Sequence, residues 1–123
     1  MITLPTRPEP LAIDLARAAV VVVDMQKTFC EPGAPAEVPA SRGIVSAINR
    51  LAAGLRAAGG TVVWCTHANV GVGNNSDWRN FFDHFVSDDV RLRTIESLSP
   101  GGSGQAIWHE LDVRDGDLKL FKN

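Results

Sequence analysis

Tyrosine is absent from this chain and cysteine occurs only twice. Two thiols, Cys30 and Cys65, cannot build the multi-bridge framework of a small secreted domain, and they are read as reduced cysteines of a cytoplasmic protein. No apolar run approaches the ~20 residues that span a bilayer, so no membrane partner is expected. Positive charge is neither in excess nor clustered: 12 Lys and Arg stand against 14 Asp and Glu, which argues against a nucleic-acid partner. The three histidines, His67, His84 and His109, lack the close spacing of a metal-ligand set. Neither a metal nor a cofactor is expected. The opening "MITLPTRPEP" has no apolar core and holds three prolines, so residues 1–16 read as an extended lead-in and not a signal peptide.

What is present is an ordinary globular balance, 45% hydrophobic and 21% charged over 123 residues, enough for one domain. The run "ARAAVVVVDM" predicts a strand over roughly 18–24, apolar without alternation, as in a parallel strand covered on both faces. The Pro- and Gly-rich "EPGAPAEVPA" is loop. A helix is predicted over Ser41–Ala58, with Ser41 as N-cap, an apolar stripe of Ile44, Ile48, Leu51 and Leu55, and Gly59-Gly60 as its stop. "TVVWCTH" is a second strand, so the unit is a right-handed βαβ. Residues 68–104 read as a long loop beside the site, with "NFFDHFV" as a short amphipathic turn. "GQAIWHEL" reads as one or two helical turns and "LKLF" as a third strand. Three parallel strands leave the valine-rich first strand without a neighbour on one edge, as in half of a doubly wound sheet.

That first strand runs into Asp24, a group that costs several kcal/mol to bury ionised and unpaired. At the carboxyl end of a central strand it would face the crevice where α/β sheets bind ligands. From spacing alone it equally suits a carboxylate that caps a helix or pairs with a surface arginine.

The run "VVVDMQKTFCEPG" resembles the opening of the isochorismatase-like cysteine hydrolases, through Asp24, Gln26, Phe29 and Pro32-Gly33. The similarity continues through "INRLAAGLRAAGGTVVW" and resumes at "WHELDVRDGDLKLFK", so it covers about residues 10–123 apart from the loop. Within the family, the Trp64 strand followed by "SDW" looks most like the ureidoacrylate-type amidohydrolases. The resemblance implies an α/β fold with a Rossmann-like doubly wound parallel sheet of order 3-2-1-4-5-6, of which this chain supplies about the first half, strands 1–3. It also implies an Asp-Lys-Cys triad. Asp24 and Lys122 match two members. The nucleophilic cysteine, which follows strand four, has no counterpart here, nor do the oxyanion-hole amides of that region. Cys65 is read as a buried, inert residue, and Cys30 as the fallback nucleophile.

On this reading Asp24 takes a proton from a thiol and returns it to a leaving amine, while Lys122 favours the thiolate and keeps Asp24 charged. Gln26 and Phe29 would wall the pocket, Phe29 being equally well plain core. His67, Asn69 and Trp78 would close over a small amide or ureido substrate. The expected partner is the C-terminal half of the domain, as a second polypeptide or a missing segment, in a homo-oligomer. The alternatives are a non-catalytic α/β binding or oligomerisation module, and a vinyl-ether hydrolase that uses the Asp without a nucleophilic cysteine.

Overall fold

A computed structural model describes residues 1–69 and 78–123. The glycine-bearing polar loop read from the sequence falls mostly on residues 70–77, outside the described residues.

The centre is a parallel sheet of β3 (Ala19–Val23), β4 (Thr61–His67) and β5 (Leu118–Lys122), in the order β3-β4-β5. Register pairs Val21 with Val63 and Val22 with Trp64, then Cys65 with Leu120 and His67 with Lys122. Because side chains alternate across a strand, Val20, Val22, Val62 and Trp64 share one face. That face packs on α2 (Val45–Ala57), in a core that includes Met25, Cys30, Val45, Ala52, Trp108 and Leu111. The opposite face carries Val21, Val23, Leu118 and Leu120, each about half exposed. The valine run therefore has one covered face, not two, and β3 is an edge of the sheet.

The lead-in is not simply extended. β1 (Ile2–Leu4) and β2 (Leu11–Ile13) pair antiparallel. The predicted helix start also moves. Pro39 opens a 3-10 stretch, Pro39–Ile44, that contains Ser41. The Ser41 hydroxyl donates to the Phe29 carbonyl at 3.4 Å, and α2 begins at Val45 with no side-chain cap. Its buried residues are Val45, Ala52 and Leu55, with Ile48 partly buried against the core; Ile44 and Leu51 are exposed. Both stripes satisfy the helical period. Ala52 wins over Leu51 because its small side chain lets the helix approach the sheet. The glycine stop forms as expected: Gly59 has φ +81°, its N–H donates to Arg56 O, and that of Gly60 donates to Leu55 O, which is a Schellman motif.

Residues 68–104, read as loop, hold two helices, α3 (Arg79–Phe85) and α4 (Asp88–Leu98). Asp88 and Asp89 sit in the first turn of α4, where acidic groups favour a helix N-terminus. Between Lys27–Cys30, a single helical turn labelled α1, and α4, the hydroxyls of Thr28 and Ser97 meet at 2.6 Å. Gly104 lies against that pair, and a Cβ there would collide with both hydroxyls. Gly104→Ala is accordingly expected to destabilise the fold by about 1–3 kcal/mol, a lowered thermal midpoint being the readout. The segment read as "GQAIWHEL" helical turns is instead a 3-10 turn, Ser103–Gln105, followed by a bridge from Ile107 to Gln26. Lys27 N–H donates to Ala106 O, and Trp108 N–H to Met25 O. Pairing with residues 25–27, just past β3, takes the backbone groups a helix would need.

Among the described residues, no helix is long and apolar enough to cross a membrane.

Candidate active site

The carboxyl ends of β3 and β5 bring Asp24 and Lys122 together. Asp24 N–H continues the ladder to Cys65 O at 2.9 Å, and the backbone then turns through φ +58° at Asp24. That left-handed conformation is uncommon outside glycine, though Asp and Asn tolerate it better than most residues. It aims the carboxylate off the end of the sheet. Lys122 Nζ reaches Asp24 Oδ2 at 3.2 Å. Asp24 Oδ1 is buried and has no hydrogen-bond partner among the described residues. Both side chains are more than one-third exposed, so the pair contributes at most about 1 kcal/mol to stability. Backbone strain and an unsatisfied carboxylate oxygen therefore have no structural return here, and such features cluster at functional sites.

The pair opens on a cavity of about 330 Å³ lined also by Phe29, His67, Trp78, Phe82, Thr94 and Leu98. Phe29 comes from α1. His67 ends β4, and its Nε2 and Asn69 Oδ1 lie 3.1 Å apart. Trp78 stands edge-on to His67, with ring centroids 6.0 Å apart. Helix α3 supplies Phe82 and, beside it, Phe81. Arg91 of α4 holds it in place through Asp83 at 2.8 Å. Arg91 first and Arg79 second keep the Asp83 carboxyl below the usual carboxylate range. On the far rim, Ala36 and Val38 line the cavity from a loop pinned by Glu37. Gly33 N–H and Arg42 hold that carboxyl low.

Gln26, expected in the wall, and Asn69, expected to close over the substrate, are placed differently. Gln26 is fully buried and its amide is consumed by main chain: Nε2 donates to His67 O and Gln105 O, and Oε1 accepts from His67 N–H. It clamps the end of β4 and is not part of the cavity wall. Asn69, 3% exposed, touches His67 and does not line the cavity. Conversely, Phe81, Phe82, Thr94 and Leu98 line it without having been singled out. The aromatic density of "NFFDHFV" was the only signal for the first two.

Neither cysteine lies at the cavity. Cys30 is fully buried in the core, so the nearness to Asp24 in sequence that made it the fallback nucleophile does not bring its thiol to the cavity. Cys65 is half-buried on the open sheet face between Val23 and Leu120, and so is not the deeply buried residue expected. Among the described residues, no group of three or more His, Cys, Asp or Glu side chains could hold a metal ion. A larger hollow of about 600 Å³, lined by Arg42, Asn49, Arg50 and Glu110, lies apart from Asp24. Its Asn49 is occupied by the backbone of Glu110 and Asp112.

The Isochorismatase domain profile matches residues 18–123. The chain belongs to the isochorismatase family. Within that family it is 41% identical to the ureidoacrylate amidohydrolase RutB of Klebsiella pneumoniae subsp. pneumoniae, over 99% of this chain and 56% of that protein. The RutB of Azorhizobium caulinodans is also 41% identical, over 97% of this chain and 57% of its own length. Among solved structures, a cysteine hydrolase from Pseudomonas syringae pv. phaseolicola superposes with a TM-score of 0.73 at 27% identity, covering 89% of this chain and 48% of that one. An isochorismatase family protein from Desulfovibrio vulgaris gives 0.64 at 28% identity, covering 85% and 51%. The α/β fold inferred from the sequence is thus that of the family, and the chain spans about half the length of the relatives it matches.

Proposed function

We propose that the complete protein to which this chain contributes hydrolyses the C–N bond of a small amide or ureido compound. The observation that carries this reading is the Asp24–Lys122 pair at the strand ends, one carboxylate oxygen buried and unpartnered, opening on an aromatic-walled cavity. The similarity to ureidoacrylate amidohydrolases and a cysteine hydrolase supports the choice of bond. The nucleophilic cysteine comes from outside these 123 residues, in the remaining half of the domain. That half also covers the sheet face of Val21, Val23, Leu118 and Leu120 and adds a strand beside β3. Its support is the exposed apolar face, an aggregation hazard if left bare.

The chemistry follows from the groups present. Asp24 accepts the thiol proton, and the thiolate attacks the substrate carbonyl. The tetrahedral intermediate collapses by breaking the C–N bond, Asp24 giving the proton to the departing amine. Water then hydrolyses the thioester, transferring its proton through the same carboxylate and releasing the acid. Lys122 holds the Asp24 carboxylate in place by their ion pair and favours the thiolate by its charge.

The test is release of amine or ammonia from a panel of small amides and ureido compounds by the complete protein. No release across the panel, with release of alcohol or ketone from a vinyl ether, would replace this reading by the vinyl-ether one. Cys65→Ser, a change of similar size at a residue that does not line the cavity, is expected to leave turnover of the folded variant within about threefold. Loss of turnover in that variant, with the fold retained, would put the nucleophile on this chain after all.

A further inference from the structure

We infer that Thr94 is a specificity-determining residue of this cavity, its hydroxyl reading a hydrogen-bonding group on the part of the substrate that does not react. The inference rests on the proposed C–N hydrolysis and names a feature of the substrate class.

Helix α4 turns Thr94 and Leu98 inward, and both are nearly fully buried at 4% and 2% exposure. A buried helical position of this size suits valine, which has the same shape without a polar atom. A threonine there normally returns its hydroxyl to the carbonyl one turn earlier. Here Thr94 Oγ1 is buried and makes no hydrogen bond among the described residues. An unsatisfied buried hydroxyl is a cost to the fold, so its place calls for a partner that arrives later.

The cavity supplies the context. Of its polar lining residues, Lys122 is paired with Asp24 and His67 is in contact with Asn69. Among the described residues of the lining, the buried side-chain oxygens that make no hydrogen bond are Asp24 Oδ1 and Thr94 Oγ1. Asp24 belongs to the proton transfers. Thr94 stands on a wall otherwise made by Phe81, Phe82, Leu98 and Phe29, where one hydroxyl among apolar groups discriminates strongly between a ligand that satisfies it and one that does not. The substrate class is then a small amide or ureido compound with an oxygen acceptor on its acyl side, such as a carbonyl or carboxylate.

Thr94→Val and Thr94→Ser in the complete protein test this with matched amides, one bearing an acyl-side carbonyl oxygen and one with a methylene in its place. Thr94→Val is expected to lower kcat/KM for the oxygen-bearing amide about tenfold, mainly through KM. It should leave the methylene amide unchanged or improved, and the thermal midpoint unchanged or raised. Thr94→Ser should retain the wild-type preference. Equal effects on both amides, or a lowered midpoint with unchanged preference, would overturn the inference and leave the C–N hydrolase reading standing. If the wild type hydrolyses neither amide, that reading fails. Binding of the same pair, followed by tryptophan fluorescence in wild type and Thr94→Val, then decides the role of Thr94: a tenfold loss confined to the oxygen-bearing ligand supports it, and parallel binding overturns it.

Discussion

Asp24→Asn in the complete protein is expected to lower amide turnover by about a thousandfold or more, with kcat falling and the thermal midpoint almost unmoved. Asparagine matches aspartate in shape, tolerates the φ of +58° at this position, and keeps an oxygen within reach of Lys122 Nζ. It cannot carry a proton between thiol and leaving amine. The structural loss is small because the Asp24–Lys122 pair is more than one-third exposed on both sides and worth at most about 1 kcal/mol. The neutral amide also relieves the buried, unpartnered Oδ1 of its charge. Steady-state kinetics beside a thermal melt separates the roles. Near-wild-type turnover would remove Asp24 from the mechanism, and loss of both activity and cooperative melting would make it a fold residue.

The resemblance to the isochorismatase-like hydrolases singled out Asp24 and Lys122, and parallel-sheet geometry explains why they lie together. Strands that run the same way end on the same side, so the ends of β3 and β5 share one edge of the sheet, where the long lysine side chain reaches across to the carboxylate. Gln26 shows the limit. Its place two residues past Asp24 fits a pocket wall and a backbone clamp equally well, and only the folded chain shows its amide closed on His67 and Gln105. Helix α4 was missed for a different reason: "DDVRLRTIESL" has charge on most sides and only Thr94 and Leu98 buried, too narrow a stripe for periodicity to reveal. The part of the cavity wall that Thr94 and Leu98 supply was hidden with it. The valines of β3 signalled a strand covered on both faces, whereas the three-stranded sheet buries Val22 and leaves Val21 and Val23 half exposed. The pattern suits the complete domain proposed above.

The largest stability effect is expected at Asp117, which the sequence marked only as part of a Gly-Asp turn before β5. Its side chain is 3% exposed and lies 2.6 Å from Arg56. It takes Arg56 Nε on Oδ1 and Nη2 on Oδ2, the Trp64 indole N–H at 2.8 Å and the Arg114 backbone N–H at 2.9 Å. One carboxylate thus joins α2, β4 and the turn into β5. Asp117→Ala leaves the Arg56 guanidinium with its hydrogen bond to the Asp112 carbonyl at 2.7 Å and a longer contact to the Asp112 carboxylate at 3.6 Å, and it strands the indole N–H of Trp64, itself 1% exposed. Removing one partner of a buried pair costs about 3 kcal/mol, or roughly 10 °C in thermal midpoint for a domain of this size. The pH dependence gives the test its sign. The Arg56 hydrogen bonds, followed by those from Trp64 and Arg114, hold the folded Asp117 carboxyl well below the usual carboxylate range. Its contribution is therefore complete above the unfolded value of about 3.9 and is lost as pH falls through that value toward the lower folded one. The gap in midpoint between wild type and Asp117→Ala should be constant from pH 7 to about 5 and narrow below about pH 4. Asp117→Asn, which keeps an acceptor for Trp64 but not the charge, should fall between the two and show the same narrowing. A gap of under 2 °C at neutral pH, well short of the roughly 10 °C expected, or one that does not change with acid, would mean that hydrophobic packing around Trp64, and not this carboxylate, holds β5 to the sheet.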